Sequence, residues 1–185
     1  MTIFARVFQF SLAALPLLAQ SQLKITPVPD GVTGFRAEFL RQMSGEEAKF
    51  ISLAESFPSA KYTWRPADGV RSVSEVFLHM AAANYNLPRL IGTPPPASFQ
   101  GKGYEKSTTD KDAIVKALRD SFGHLRQAAL AVSDADGDKK LKLFGQDETY
   151  RGVHFFILKH MAEHLGQSIA YARMNGITPA WSESK

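Results

Sequence analysis

The stretch Phe155-Phe156-Ile157-Leu158-Lys159-His160-Met161-Ala162-Glu163-His164-Leu165-Gly166-Gln167 sets two histidines four residues apart. On a helix that spacing puts both imidazoles on one face, one turn apart. Val153, Ile157, His160, His164 and Tyr171 follow steps of three, four or seven residues, the seam that a helical bundle buries. Two imidazoles on such a seam need partners, because unpaired burial of polar groups is costly. A divalent metal is one partner that serves both rings, and an i, i+4 histidine pair is a common way to hold it. Hydrogen bonding inside the core is the other way to satisfy them.

Working outward, three further helical segments precede this one. The first spans about residues 35–57, with Phe39, Met43, Phe50, Leu53 and Ala54 as its buried face. Ser44 and Glu47 imitate a capping box inside it, but the helical periodicity continues on both sides. The second begins at the capping box Ser72-Val73-Ser74-Glu75, after the Pro66-Ala67-Asp68-Gly69 turn, and runs toward Leu87 or Ile91. The third covers about residues 110–132, where Val115, Leu118, Phe122, Leu125, Ala129 and Val132 make a nearly unbroken heptad seam. The fourth starts after Thr149 as N-cap and ends before Gly176. Asp134-Ala135-Asp136-Gly137-Asp138 lacks the downstream glutamate of a calcium loop and reads as a turn. No segment shows sustained strand alternation. The expectation is an all-α fold, a four-helix bundle. The long connection over residues 92–109 leaves simple up-down topology open.

The chain of 185 residues is long enough for one domain with a substantial core, and its 44% hydrophobic and 22% charged residues are ordinary for a globular protein. The net charge of +4 is mild and the basic residues are scattered, so no nucleic-acid partner is expected. The absence of cysteine removes disulfides, thiolate metal sites, cysteine nucleophiles and c-type haem attachment. Arg6, the apolar run from Val7 to Ala19 and Ala19-Gln20-Ser21 have the form of an export signal, too short and broken for a membrane span. The organisation expected is a signal peptide over residues 1–21, an N-terminal extension over 22–34 and the bundle over 35–182. The protein is expected to be secreted or periplasmic, without a stable membrane anchor.

A metal site needs three or four protein ligands. Five histidines are available. His124 falls off the third-helix seam and reads as a surface residue. His154 lies about 120° round the helix from His160. His79 lies one turn beyond Val76 on the buried side of the second helix, with small Ala82 and Ala83 beside it. His79, His160 and His164 would join two helices through one ion. His160-Met161-Ala162-Glu163-His164 also matches the H-x-x-E-H pattern of inverzincins, but too little chain follows to supply their downstream glutamate. Glu163, beside the two ligands, is the candidate catalytic base, or a group that orients a ligand. Gln167, Asn84 and Tyr85 are candidates to contact a bound molecule, with Leu87, Phe77 and Phe156 as apolar walls.

His79, the His160-x-x-x-His164-Leu165-Gly166-Gln167 motif, Tyr62-x-Trp64-Arg65-Pro66 and the closing Arg173-Met174-Asn175-Gly176-Ile177-Thr178-Pro179-Ala180-Trp181-Ser182 resemble the DinB/YfiT-like metalloenzyme superfamily. The resemblance covers about residues 35–182. It implies a four-helix bundle, often a homodimer, with a divalent transition metal, zinc or nickel, on His79, His160 and His164. It also implies a hydrolase or transferase acting on a small-molecule substrate, which the sequence does not name. Some members are thiol-dependent S-transferases or isomerases, whose thiols are cytosolic. Two other readings are a non-catalytic bundle that the metal staples or that carries it, and a haem-binding bundle using Met80 or Met161 with a histidine.

Overall fold

The computed structural model describes residues 23–182. The expected export signal over residues 1–21 lies outside them. Four helices carry the fold: α1 (Gly34–Ser56), α2 (Val73–Asn86), α3 (Lys111–Ala131) and α4 (Tyr150–Met174). These are the four segments that hydrophobic periodicity marks out.

The starts of three helices are set by side chains that satisfy otherwise orphaned backbone N–H groups. Ser72 caps α2 in a reciprocal box with Glu75. Asp110 accepts from Ala113 N at the start of α3, and Thr149 accepts from Gly152 N at the start of α4. Leu87–Ile91 continues α2 as a 3-10 turn, and Gly92 ends it in the left-handed region at φ 91°. Ser44 and Glu47 lie inside continuous α1. Arg126 of α3 reaches both, 3.1 Å from Ser44 Oγ and paired with the Glu47 carboxylate. Their spacing serves an interhelical contact instead of a cap.

Each of α1 and α2 packs against both α3 and α4. The sequential pair α1 and α2 therefore sits diagonally, which a simple up-down bundle does not allow. Phe39, Leu40, Met43, Phe50, Leu53, Val76, Phe77, Met80, Leu118, Phe122, Val153, Ile157 and Met161 fill the centre, each no more than 2% exposed. Each such side chain contributes about 1.5–3 kcal/mol relative to exposure. On α3 the seam rotates slightly from expectation, with Ile114 buried and Val115 only half-buried.

The segment between α1 and α2 is tied to both. Tyr62 is fully buried and donates to Ala54 O, while Val73 N and Ser74 N donate to Trp64 O and Tyr62 O. Trp64 meets the Tyr171 ring edge-on at 5.3 Å. This places Arg71, just before α2, next to α4.

One element departs from the expectation of an all-helical chain. β1 (Lys140–Leu143) and β2 (Gln146–Thr149) pair antiparallel, with Lys140 opposite Thr149 and Leu143 opposite Gln146. The turn is Phe144-Gly145, with φ of 49° and 83°. Four residues per strand, alternating in β1 but all polar in β2, are too few to stand out as a periodic pattern. Glycine suits the second turn position. Phenylalanine at the first is in a conformation that costs a side-chain-bearing residue about 1–2 kcal/mol. Among the described residues no other non-glycine residue has positive φ.

Candidate metal centre

His79 on α2 and His160 and His164 on α4 converge where the two helices pack. One nitrogen from each ring lies within 4.8 Å of the others, and all three residues are half-buried. His79 Nε2 and His160 Nε2 are 3.1 Å apart. His164 lies 4.5 Å, centroid to centroid, from each of the other two rings.

The outer nitrogens decide what the inner ones offer. His79 Nδ1 lies 2.6 Å from Glu105 Oε1. A carboxylate acceptor fixes the proton on Nδ1 and leaves Nε2 as a lone pair in the neutral ring. His164 Nδ1 donates to Gln167 Oε1 at 2.9 Å, and the Gln167 amide donates to Tyr171 Oη at 3.1 Å. Tyr171 Oη in turn donates to the Arg71 carbonyl at 3.0 Å. The Arg71 guanidinium holds Glu105 by two contacts, of 2.7 and 3.3 Å. The two imidazoles are thus oriented by one connected network. His160 Nδ1 is buried with no hydrogen-bond partner among the described residues.

Electrostatics favour the neutral form of His160 and His164. Burial, with the neighbouring His164 and His79, pushes the His160 pKa down to about 4. Burial also lowers that of His164, against the opposing Gln167 hydrogen bond. Burial pushes the Glu105 carboxyl up, but the Arg71 and His79 hydrogen bonds overcome this and hold it below its usual value. Neutral imidazole is the form that coordinates a metal.

The residues fit a divalent transition metal. Ligand nitrogens about 2.0–2.1 Å from a tetrahedral ion stand roughly 3.3 Å apart. The 3.1 Å separation of His79 and His160 Nε2 is close to that spacing. Two of the three imidazoles, His79 and His164, have the outer N–H bound to a carboxylate or an amide oxygen, the arrangement that orients histidine ligands of such ions.

The other nominated residues fall in different places. Glu163 has its side chain 57% exposed and lies 3.6 Å from Lys159 Nζ. It raises the proton affinity of His160 and His164 through space but hydrogen-bonds to neither. Gln167 orients His164, where it was expected to meet a bound molecule. Asn84 is buried and donates to Ser121 Oγ across α2 and α3. Tyr85 packs among the rings of Phe99, Tyr104 and His124 in tilted and edge-on contacts. Phe77 packs on Phe57 and Tyr62 in the core. Of the three apolar walls, Phe156 stacks on His160, with centroids 6.2 Å apart. His154 is turned away from the cluster as the helical wheel requires, between Phe35 and Phe39. His124 is half-buried against Tyr85, where surface exposure was expected. Met80 and Met161 are both fully buried in the core.

Glu105 is the residue of the candidate site that sequence patterns do not mark. It sits on a single 3-10 turn, Tyr104–Lys106, inside the long connection between α2 and α3. No periodicity marks that segment. The only signal is its length, since long irregular connections in compact domains are often functional.

A four-helix bundle with three converging imidazoles on two neighbouring helices defines a class of helical protein suited to hold one divalent metal. The family model of the DinB superfamily matches residues 42–168, and the chain belongs to that superfamily. Its fold is similar to three solved structures. A DinB-like protein from Bacillus cereus is 17% identical, with a TM-score of 0.68 over 80% of this chain and 95% of that one. The DinB-like protein YjoA from Bacillus subtilis is 19% identical, with a TM-score of 0.57 over 76% and 93%. YfiT from Bacillus subtilis is 14% identical, with a TM-score of 0.62 over 83% and 95%. It is described as a probable metal-dependent hydrolase with an unusual four-helix bundle topology. No curated protein matches the chain.

Proposed function

We propose that the protein binds one divalent transition metal, zinc or nickel, through His79, His160 and His164, and uses it in hydrolysis or group transfer on a small molecule. The observation that carries this is the convergence of three imidazole nitrogens within 4.8 Å, on residues from two helices. The description of YfiT as a probable metal-dependent hydrolase supports the hydrolytic form.

When bound, the metal supplies Lewis acidity toward the substrate. The chain supplies the rest. Glu105 holds the proton on His79 Nδ1, and Gln167 holds it on His164 Nδ1, so both rings keep their tautomers through a reaction cycle. Arg71 keeps Glu105 ionised and aimed. Glu163, solvent-exposed and within electrostatic reach of two of the ligands, is the proposed proton acceptor. No helix of the described residues is long and apolar enough to cross a membrane. Export, with no stable membrane anchor, belongs to the same proposal. Homodimerisation is part of the same proposal.

Elemental analysis of protein from its native host tests the metal reading. About one metal per chain is expected, most of it lost in His79→Ala, His160→Ala and His164→Ala and retained in His124→Ala. Full occupancy in the His160→Ala and His164→Ala variants overturns the assignment.

A further inference from the structure

We propose that Phe144 and Phe156 form an aromatic shelf beside His160 that receives an aryl-bearing, apolar arm of the substrate. The proposal rests on the metal reading above and adds the substrate class: a small molecule with a metal-binding polar head and an aromatic tail.

The shelf begins at the metal centre. Phe156 stacks on His160 with an interplanar angle of 26°. The Phe144 ring meets Phe156 edge-on, with centroids 5.6 Å apart. Three rings therefore run in sequence from the histidine cluster outward. Phe156 is half-buried, whereas Phe144 is 79% exposed.

An exposed phenylalanine alone carries no meaning, since much of any protein surface is apolar. Phe144 differs because its backbone opposes it. It occupies the first position of a two-residue hairpin turn at φ 49°, where asparagine or aspartate before glycine is strongly preferred. The ring adds almost no burial in return. Neither turn formation nor core packing accounts for phenylalanine at this position. Its contact with Phe156, and through Phe156 with His160, ties the ring to the candidate metal centre and motivates a ligand there as its use. Offset or edge-on aromatic contacts with both rings would hold an aryl group there.

The turn supplies its own control. Phe144→Asn removes the ring and installs the residue the turn prefers, so the hairpin is retained. Two probes of known head chemistry separate shelf from metal: acetohydroxamate, a metal-binding head alone, and phenylbutanohydroxamate, the same head with an aryl tail. Their dissociation constants are measured on metal-loaded wild-type protein and on Phe144→Asn, with metal content and oligomeric state determined for each. Wild type should favour the aryl probe, and Phe144→Asn should lose about 3–10-fold of that preference. Affinity for acetohydroxamate and metal content should not change. Phe156→Leu should reduce the preference in the same direction. An unchanged preference in Phe144→Asn overturns the shelf, as does a change of oligomeric state with ligand preference intact, which would make Phe144 a subunit contact. Metal-loaded protein that binds neither probe also overturns it, while protein that takes up no metal at the three histidines overturns the metal reading itself.

Discussion

Glu105 Oε1 lies 2.6 Å from His79 Nδ1, although 26 residues and a long irregular connection separate them. The contact makes Glu105 part of the candidate metal centre without placing it among the three converging histidines. It fixes which nitrogen of His79 is free. Glu105→Gln keeps the size of the side chain but removes the charge, and is expected to weaken metal affinity by about 10–100-fold. Competition with a chelator of known affinity measures this. Wild-type affinity in the variant contradicts the orienting role.

Glu163 gives the opposite expectation. Its carboxylate pairs with Lys159 and touches no imidazole, so Glu163→Gln should leave metal affinity unchanged. As the proposed base it should reduce turnover by roughly 10²–10⁴-fold. The binding half can be measured before any substrate is known. Turnover at the wild-type level would remove Glu163 from the mechanism.

The metal-free protein should lose stability in mild acid. His154 is 2% exposed and its pKa is lowered by burial, and that of His160 is pushed down to about 4. In the unfolded chain both titrate near the ordinary value of about 6.5. Between these values the unfolded state binds more protons, so stability rises with pH across the window and falls as pH drops through it. The urea midpoint should therefore decline from about pH 6.5 toward pH 4. His154→Phe, which keeps an aromatic ring against Phe35 and Phe39, should make that decline shallower. A midpoint that does not vary across the window would show that these rings are not buried neutral.

Removal of residues 1–21 is expected on export, since the run from Val7 to Ala19 is too short to remain as a span. Intact mass of the protein from its own host gives the answer. A mass that includes Met1 to Ser21 would return the protein to the cytosol and to thiol-dependent chemistry.

The helices and the His160–His164 pair were legible because both depend on spacing along one helix. The i, i+4 relation of His160 and His164 survives any tertiary arrangement. His79 followed from its place on the buried face of α2. The network around them was not legible, because it is built across segments. Glu105 comes from a 3-10 turn, the Arg71 carbonyl from the chain before α2, and Tyr171 from two turns beyond His164. Asn84 shows the converse error. It is polar and near His79 in sequence, but it faces α3 and serves Ser121. The hairpin escaped for a third reason, since its strands of four residues carry less periodic signal than noise.

Arg71 meets the centre twice, through its guanidinium on Glu105 and through its carbonyl on Tyr171. One branch ends at His79 and the other at His164. A side-chain substitution such as Arg71→Ala cuts the first branch and spares the second. Both branches leave from one residue, so the position of its backbone bears on two histidines that stand on different helices. The short segment between Gly69 and Ser72 is thereby a shared anchor of the candidate site, placed outside the helices that carry it.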